Sequence, residues 1–353
     1  MPSKDSSIWT SDKRVSVTNT VSSSITPLKL RAPLSYSRYN PTYKVNLKRT
    51  LAEQLLQYTK TVLAGVFKNT DPDLDGIGLL ARIRDVHQIL YYNNYIYILN
   101  RAYQTIRRYN VSTGEVSIFA GQYNVLGSTN GTTLLNSSFF YPTTMTIDSV
   151  NNIMYIGTNS NIRAIDLNTN TITTFLNRPA SIDQFTSLIY QNGFLYGTDP
   201  GKLVVYKIEV STKTFTIIAG TSGAARGFVD GIGAAARFSI NLNLSDGLVF
   251  YNDNLYVADG RNNSIRKINV NTTEVTTFFT IPNINSIVLF NGSIYYFELD
   301  SDKVNYSFYK IDINTVTKKR LFRTSPAIRS FQVINENLLY VADANNQIVK
   351  FSF

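Results

Sequence analysis

The 353-residue chain contains no cysteine and a single histidine, His87. Without thiols there is neither a disulfide staple nor a thiolate metal site, and one imidazole cannot assemble the histidine sets that zinc chemistry uses. No apolar run approaches the ~18 residues of a membrane-spanning helix. The opening residues, MPSKDSSIWTSDKRVSV, lack the apolar core of a secretory signal. Together these absences predict a soluble chain without membrane span or signal peptide, intracellular unless it is built into a larger particle.

What the chain does hold is aromatic and apolar: 23 Tyr, 20 Phe and 43% hydrophobic residues, enough for a sizeable core. Aromatic and β-branched residues fit pleated, half-buried surfaces, and abundant Asn suits turns, so the composition favours an all-β fold. The net charge of +10 is unevenly placed. Residues 1–50 carry nine Lys and Arg against only Asp5 and Asp12, a net +7, which leaves +3 for the rest.

The segment DPDLDGIG begins like a calcium loop, with Asp71, Asp73 and Asp75 at alternate positions before a glycine. The twelfth position of such a loop should be a bidentate glutamate, because calcium takes six to eight oxygens. Here it is Arg82. The three aspartates therefore stand only as weak candidates for a surface cation. A better account is repetition, since DGIGLLARI (Asp75 to Ile83) recurs as DGIGAAARF (Asp230 to Phe238). The glycines of both copies, Gly76 and Gly231, are expected to supply a left-handed turn.

A search for longer periods finds a short apolar strand with a tyrosine six times, at Tyr97, Tyr155, Tyr196, Tyr256, Tyr295 and Tyr340, as in LYVAD (Leu255 to Asp259). Each copy is followed by a second strand such as SIRKINV (Ser264 to Val270), and five by a third. The spacing of about 40–50 residues indicates a β-propeller of six four-stranded blades. Two intervals are longer and hold the glycine-rich segment as an insertion. The last unit ends at QIVKFSF without its outermost strand, while YTKTVLAG (Tyr58 to Gly65) matches the outer strand STKTFTIIAG (Ser211 to Gly220). Residues near 58–64 are thus predicted to close the ring by completing blade six.

The run Ala219 to Val270, with its G…DG…A-x-F segment, LYVAD strand and IRKI strand, resembles an NHL repeat. The likeness is good in the first unit, fair in the second and last, and faint in the third and fifth. Because a propeller exposes two broad, loop-covered faces on a stiff scaffold, the expected role is non-enzymatic, binding a protein partner with no cofactor. Rival propellers of the lactonase and strictosidine-synthase kinds place a metal or an acid in the central channel. The alternative is therefore a channel-site hydrolase using a divalent cation, for which Glu298 and Asp300 are the unusual acids. Asp259, Asp343, Asn100, Asp199 and Glu298 close equivalent strands and are read as turn chemistry, and His87 as a structural histidine.

The domain reading is an extended basic arm over 1–49, a short helical connector over 50–57 with Thr50 and Glu53 at capping-box spacing, and a propeller over 58–353. The arm interleaves Tyr36, Tyr39 and Tyr43 with Arg31, Arg38, Lys44, Lys48 and Arg49. It is predicted to tether the propeller to protein neighbours in a large assembly, a virion or phage particle being the expected setting. Non-specific nucleic-acid binding through the same cations and stacking rings is the third reading.

Overall fold

The computed structural model describes residues 58–65, 73–241, 246–284, 286–325 and 327–353. The basic arm, the connector and Asp71 lie outside the described residues. Six antiparallel sheets follow one another in chain order. From the axis outward, blade one is Val86–Tyr92, Tyr95–Asn100, Thr105–Asn110 and Glu115–Ala120; blade four is Leu248–Tyr251, Asn254–Asp259, Ser264–Asn269 and Glu274–Thr280. The inner strands of the others are Pro142–Asp148, Ser187–Gln191, Ile287–Phe290 and Ile328–Asn335. The chain is a six-bladed β-propeller.

The ring closes as the sequence predicts. Thr59–Ala64 pairs antiparallel with Ile348–Ser352 as the outer strand of blade six, in a register that sets Thr59 opposite Ser352 and Val62 opposite Val349. Tyr58 completes the seam by packing its ring on Phe322 and Phe351 at 4.8 and 5.5 Å. A sheet with its outermost strand supplied from the other chain end has no unpaired gap for a foreign strand to fill.

Within each blade the third and outer strands slip register once, for example between Ile106 and Arg107, Val205 and Tyr206, Ile265 and Arg266, and Phe308 and Tyr309. A bulge of this kind bends the outer strand and increases its twist. The blade thereby becomes a propeller vane instead of a flat ribbon.

The core is not a single centre. It is divided among the seams between blades, because each sheet is apolar on both faces and buries each against a neighbour. The six repeat tyrosines make these seams. All are at most 5% exposed, and Tyr155, Tyr196 and Tyr340 lie against Tyr190, Phe250 and Tyr91 on the inner strand of the next blade, centroids 5.7–6.0 Å apart. Such aromatic pairs contribute roughly 0.5–1.5 kcal/mol beyond their buried area. Gly197 has its own reason: a Cβ there would stand 2.2 Å from the Tyr206 hydroxyl, so only glycine lets that buried ring cross the strand.

A chain beginning at Tyr58 is expected to melt close to the full-length protein, whereas one beginning at Gly65 loses the closing strand and uncovers Val349 and Phe351. Its thermal midpoint should fall by about 10 °C or more, measured by circular dichroism. Equal midpoints for the two would refute the closure.

Candidate functional site

Three segments lengthen the connection from one blade's outer strand to the next blade's inner strand, before blades one, two and four. The blade that follows each carries an arginine at the start of its third strand, Arg107, Arg163 and Arg266. Blades three, five and six have Tyr206, Tyr309 and Val349 at that place. The three arginines are the largest fully buried side chains among the described residues. Each is there to hold an insertion.

Arg266 donates from Nη1 to the Arg237 carbonyl at 2.9 Å and to Asp259 Oδ2 at 3.1 Å, and from Nη2 to the Val229 carbonyl at 2.9 Å and Asp230 Oδ1 at 2.6 Å. Phe228 and Phe238 lie on the guanidinium, 4.9 and 5.2 Å from their centroids. Burial pulls the Asp230 carboxyl up, but the bonds from Arg266 and Thr277 hold it below the usual carboxylate range. Arg107 repeats the plan with the Arg82 carbonyl at 2.7 Å, Asp75, and Asp73 at 3.6 Å. Asp75 also accepts the Ile118 amide just as Asp230 accepts that of Thr277.

Of the three cation candidates, then, Asp73 and Asp75 face Arg107, and Asp71 is outside the described residues. A guanidinium already occupies the place a cation would take. Asp73 is almost fully buried, and burial raises its carboxyl despite Arg107 and Arg84. The left-handed glycines are Gly78 at φ 56° and Gly233 at φ 51°, two residues later than expected. Gly231 sits at φ 156° and Gly76 has no positive φ. The turn falls later because Gly76–Ile77 and Gly231–Ile232 first pair with the outer strands at Val116 and Val275.

Arg163 departs from the pattern in one respect. Its partners are the Ser138 and Thr129 carbonyls at 2.7 and 3.0 Å and Asn130 Oδ1 at 2.8 Å, with no carboxylate, and burial lowers it to about 10. Asn130 stands where Asp75 and Asp230 stand in the other insertions.

The insertions begin and end on one face of the disc, since all leave an outer strand and enter the next inner one, but those before blades one and four also run along the following blade's outer strand, where the Gly78 and Gly233 amides reach the Gly114 and Thr273 carbonyls. The turns between second and third strands lie on the same face, and Tyr103 of one such turn stacks on Tyr123 of the second insertion at 4.9 Å and 7°. Apart from Val150, Val304 and Val316, every exposed large hydrophobic among the described residues lies on an insertion, including Leu79 at 51%, Leu80 at 77% and Ile232 at 67% exposure.

At the axis, a belt of hydrogen bonds runs from blade to blade. Ser330 Oγ accepts the Ile89 amide at 2.9 Å, Gln88 Oε1 that of Met145 at 2.6 Å, Thr144 Oγ1 that of Leu188 at 3.1 Å, and Ser187 Oγ that of Gly247 at 3.1 Å. The Asp246 carbonyl accepts from Ile287 at 2.7 Å. Asp246 then adds a side chain that reaches across the axis. The residue that precedes the bonded amide is Thr144, Ser187 and Ser286 on blades two, three and five, but Gln88 on blade one and Asp246 on blade four.

The remaining polar candidates are structural. Asp199 accepts the Gly201 and Lys202 amides and Asp343 those of Asn345 and Gln347, so both cap turns. Glu298 pairs with Lys318 at 2.6 Å, and Asp300 with Arg323 at 2.5 Å. His87 is the extra residue of a bulge, where desolvation and then Arg101 push it down to about 4.

No family model matches the chain, and no curated protein matches it in sequence. Solved structures do. A structural genomics protein of unknown function from Bacteroides thetaiotaomicron VPI-5482 is 14% identical with TM-score 0.64, over 84% of this chain and 76% of that one. XC5397 from Xanthomonas campestris, described as a gluconolactonase, is 10% identical with TM-score 0.57, over 86% and 92%. A chain of a nidogen/laminin complex is 11% identical with TM-score 0.50, over 76% and 85%. The likeness is one of fold. At such identities it extends to the propeller and no further.

Replacing Arg266 by Met should cost about 3–5 kcal/mol, because it strands the fully buried Asp259 without its cation. Asp75→Asn should lower the melting temperature by about 1–3 °C, and Asn130→Asp should raise it by a similar amount by supplying the carboxylate that Arg163 lacks. Calcium should leave all three midpoints unchanged; a calcium-dependent rise lost in Asp75→Asn would restore the cation-loop reading.

Proposed function

We propose that the chain is an NHL-type propeller that works as a non-enzymatic scaffold, binding an apolar protein surface with side chains that its insertions expose. The observation that carries this reading is the concentration of exposed Leu, Ile, Phe, Tyr and Val side chains on those insertions, over backbone that buried arginines hold rigid. Apolar side chains kept in water by stiff loops cost little further ordering when a partner covers them, which favours binding.

The basic arm, with Arg31, Tyr36, Arg38, Tyr39, Tyr43, Lys44, Lys48 and Arg49, supplies the second half of the proposal: a tether within a larger assembly, a virion among them. Its support is composition and its +7 charge, and the same cations leave non-specific nucleic-acid binding as the arm's alternative. The hydrolase reading needs a cation held by several oxygens. Both carboxylate oxygens of Asp246 on the axis already accept hydrogen bonds, from Gln88 and Ser330.

A photo-crosslinker at Leu80 in the full chain, used in extract of the source, identifies the partner. Leu79→Asp with Leu80→Asp should then weaken binding of that purified partner at least tenfold, since covering one such side chain contributes roughly 1.5–3 kcal/mol. Val150→Asp, away from the insertions, should leave affinity unchanged, and all variants should melt normally. Equal binding by both variants would sink the proposal.

A further inference from the structure

Asn130 breaks the plan of the insertions. Where Asp75 and Asp230 set a carboxylate on Arg107 and Arg266, Asn130 sets an amide on Arg163. That cation lies fully buried between two carbonyls and the amide oxygen. Asp230 uses both its oxygens, Oδ1 accepting from Arg266 and the Thr277 hydroxyl and Oδ2 from the Thr277 amide. Thr174 stands opposite Arg163 in the register that sets Thr277 opposite Arg266. Its hydroxyl reaches Asn130 Oδ1 at 3.5 Å, and an amide has only that one oxygen to offer.

Gly131 follows Asn130, as a glycine follows Asp75 and Asp230. The fold requires it: φ is 68°, and a Cβ would lie 2.6 Å from the Asn136 carbonyl and 2.8 Å from the Ser137 nitrogen. With no side chain beside it, a glycine amide is also the one best able to attack a preceding asparagine side chain. Asn130 is exposed, so water can enter and ammonia can leave.

We propose that Asn130 is a self-modification site, at which Arg163 promotes conversion of the side-chain amide to a carboxylate that then pairs with it. The Gly131 nitrogen gives its proton to water and bonds to Asn130 Cγ, the Cγ–Nδ2 bond breaks, and ammonia leaves. Water then adds to Cγ and the bond to the Gly131 nitrogen breaks, which restores the main chain and leaves the carboxylate. Nothing is oxidised or reduced. In both steps negative charge gathers on Oδ1, the atom to which Arg163 Nη2 donates at 2.8 Å. The guanidinium therefore stabilises the transition state more than the starting amide. Attack of water on the other carbonyl of the ring would give isoaspartate, which lengthens the main chain by one carbon. The close fit of Gly131 against Asn136 opposes that product.

Peptide mapping by mass spectrometry tests this on freshly purified full chain at mildly alkaline pH, folded and in guanidinium chloride. The pairs Asn192 with Gly193 and Asn291 with Gly292 serve as internal controls. In the folded chain Asn130 should exchange its amide for an acid roughly tenfold or more faster than in denaturant, faster than both controls, and as aspartate. Arg163→Gln should remove that advantage; if this variant does not fold, the wild-type comparison decides alone. Conversion should also raise the melting temperature of the wild type, as Asn130→Asp does. A folded rate at or below the denatured one, isoaspartate as the main folded product, or an unchanged melting temperature after conversion overturns the proposal. So does a rate advantage that survives in folded Arg163→Gln.

Discussion

In a closed ring of sheets every inner strand has one edge with no strand beside it, and its amides must be satisfied across the axis or left to water. Here a polar side chain on four blades answers an amide of the next, as Gln88 does for Met145 and Thr144 for Leu188, and on blade four the Asp246 carbonyl does so. A buried amide without a partner costs on the order of 1–3 kcal/mol, so this belt sets the angle between blades and the width of the axis. The seams packed by the repeat tyrosines depend on that angle.

The outer half of the molecule answers a different constraint. An insertion that leaves the ladder must find partners for its own carbonyls, and a bulge opens space at the start of the third strand. Arginine fills that space in the blades that follow an insertion and binds one or two carbonyls of the loop; tyrosine or valine fills it elsewhere. Loop and cation therefore occur together. With the backbone fixed from below, the insertion's outward side chains are released from the core and can be apolar, which is the basis for reading them as the binding surface.

Much of this was legible in the sequence because the repeat is local. Blade number, the strand borrowed from Tyr58 to Gly65 to close the ring, and the structural use of the DG segment all follow from comparing one unit with another. The left-handed turn was placed two residues early, at Gly76 instead of Gly78, because the sequence does not reveal that Gly76–Ile77 first pairs with an outer strand. Asp246 was not among the candidate acids, because it marks no repeat position and its partners Gln88 and Ser330 lie on other blades.

The sequence by itself determined the class of fold, the count of blades and the strand that closes the ring, since strand pairing within a blade joins residues a few tens apart and repeats with the period. Only the tertiary structure decided what meets at the axis. Asp246 lies 158 residues from Gln88 and 84 from Ser330, and no periodicity links them. They meet because a ring of six sets the fourth blade opposite the first, with the sixth beside the first, a consequence of closure that no single repeat contains.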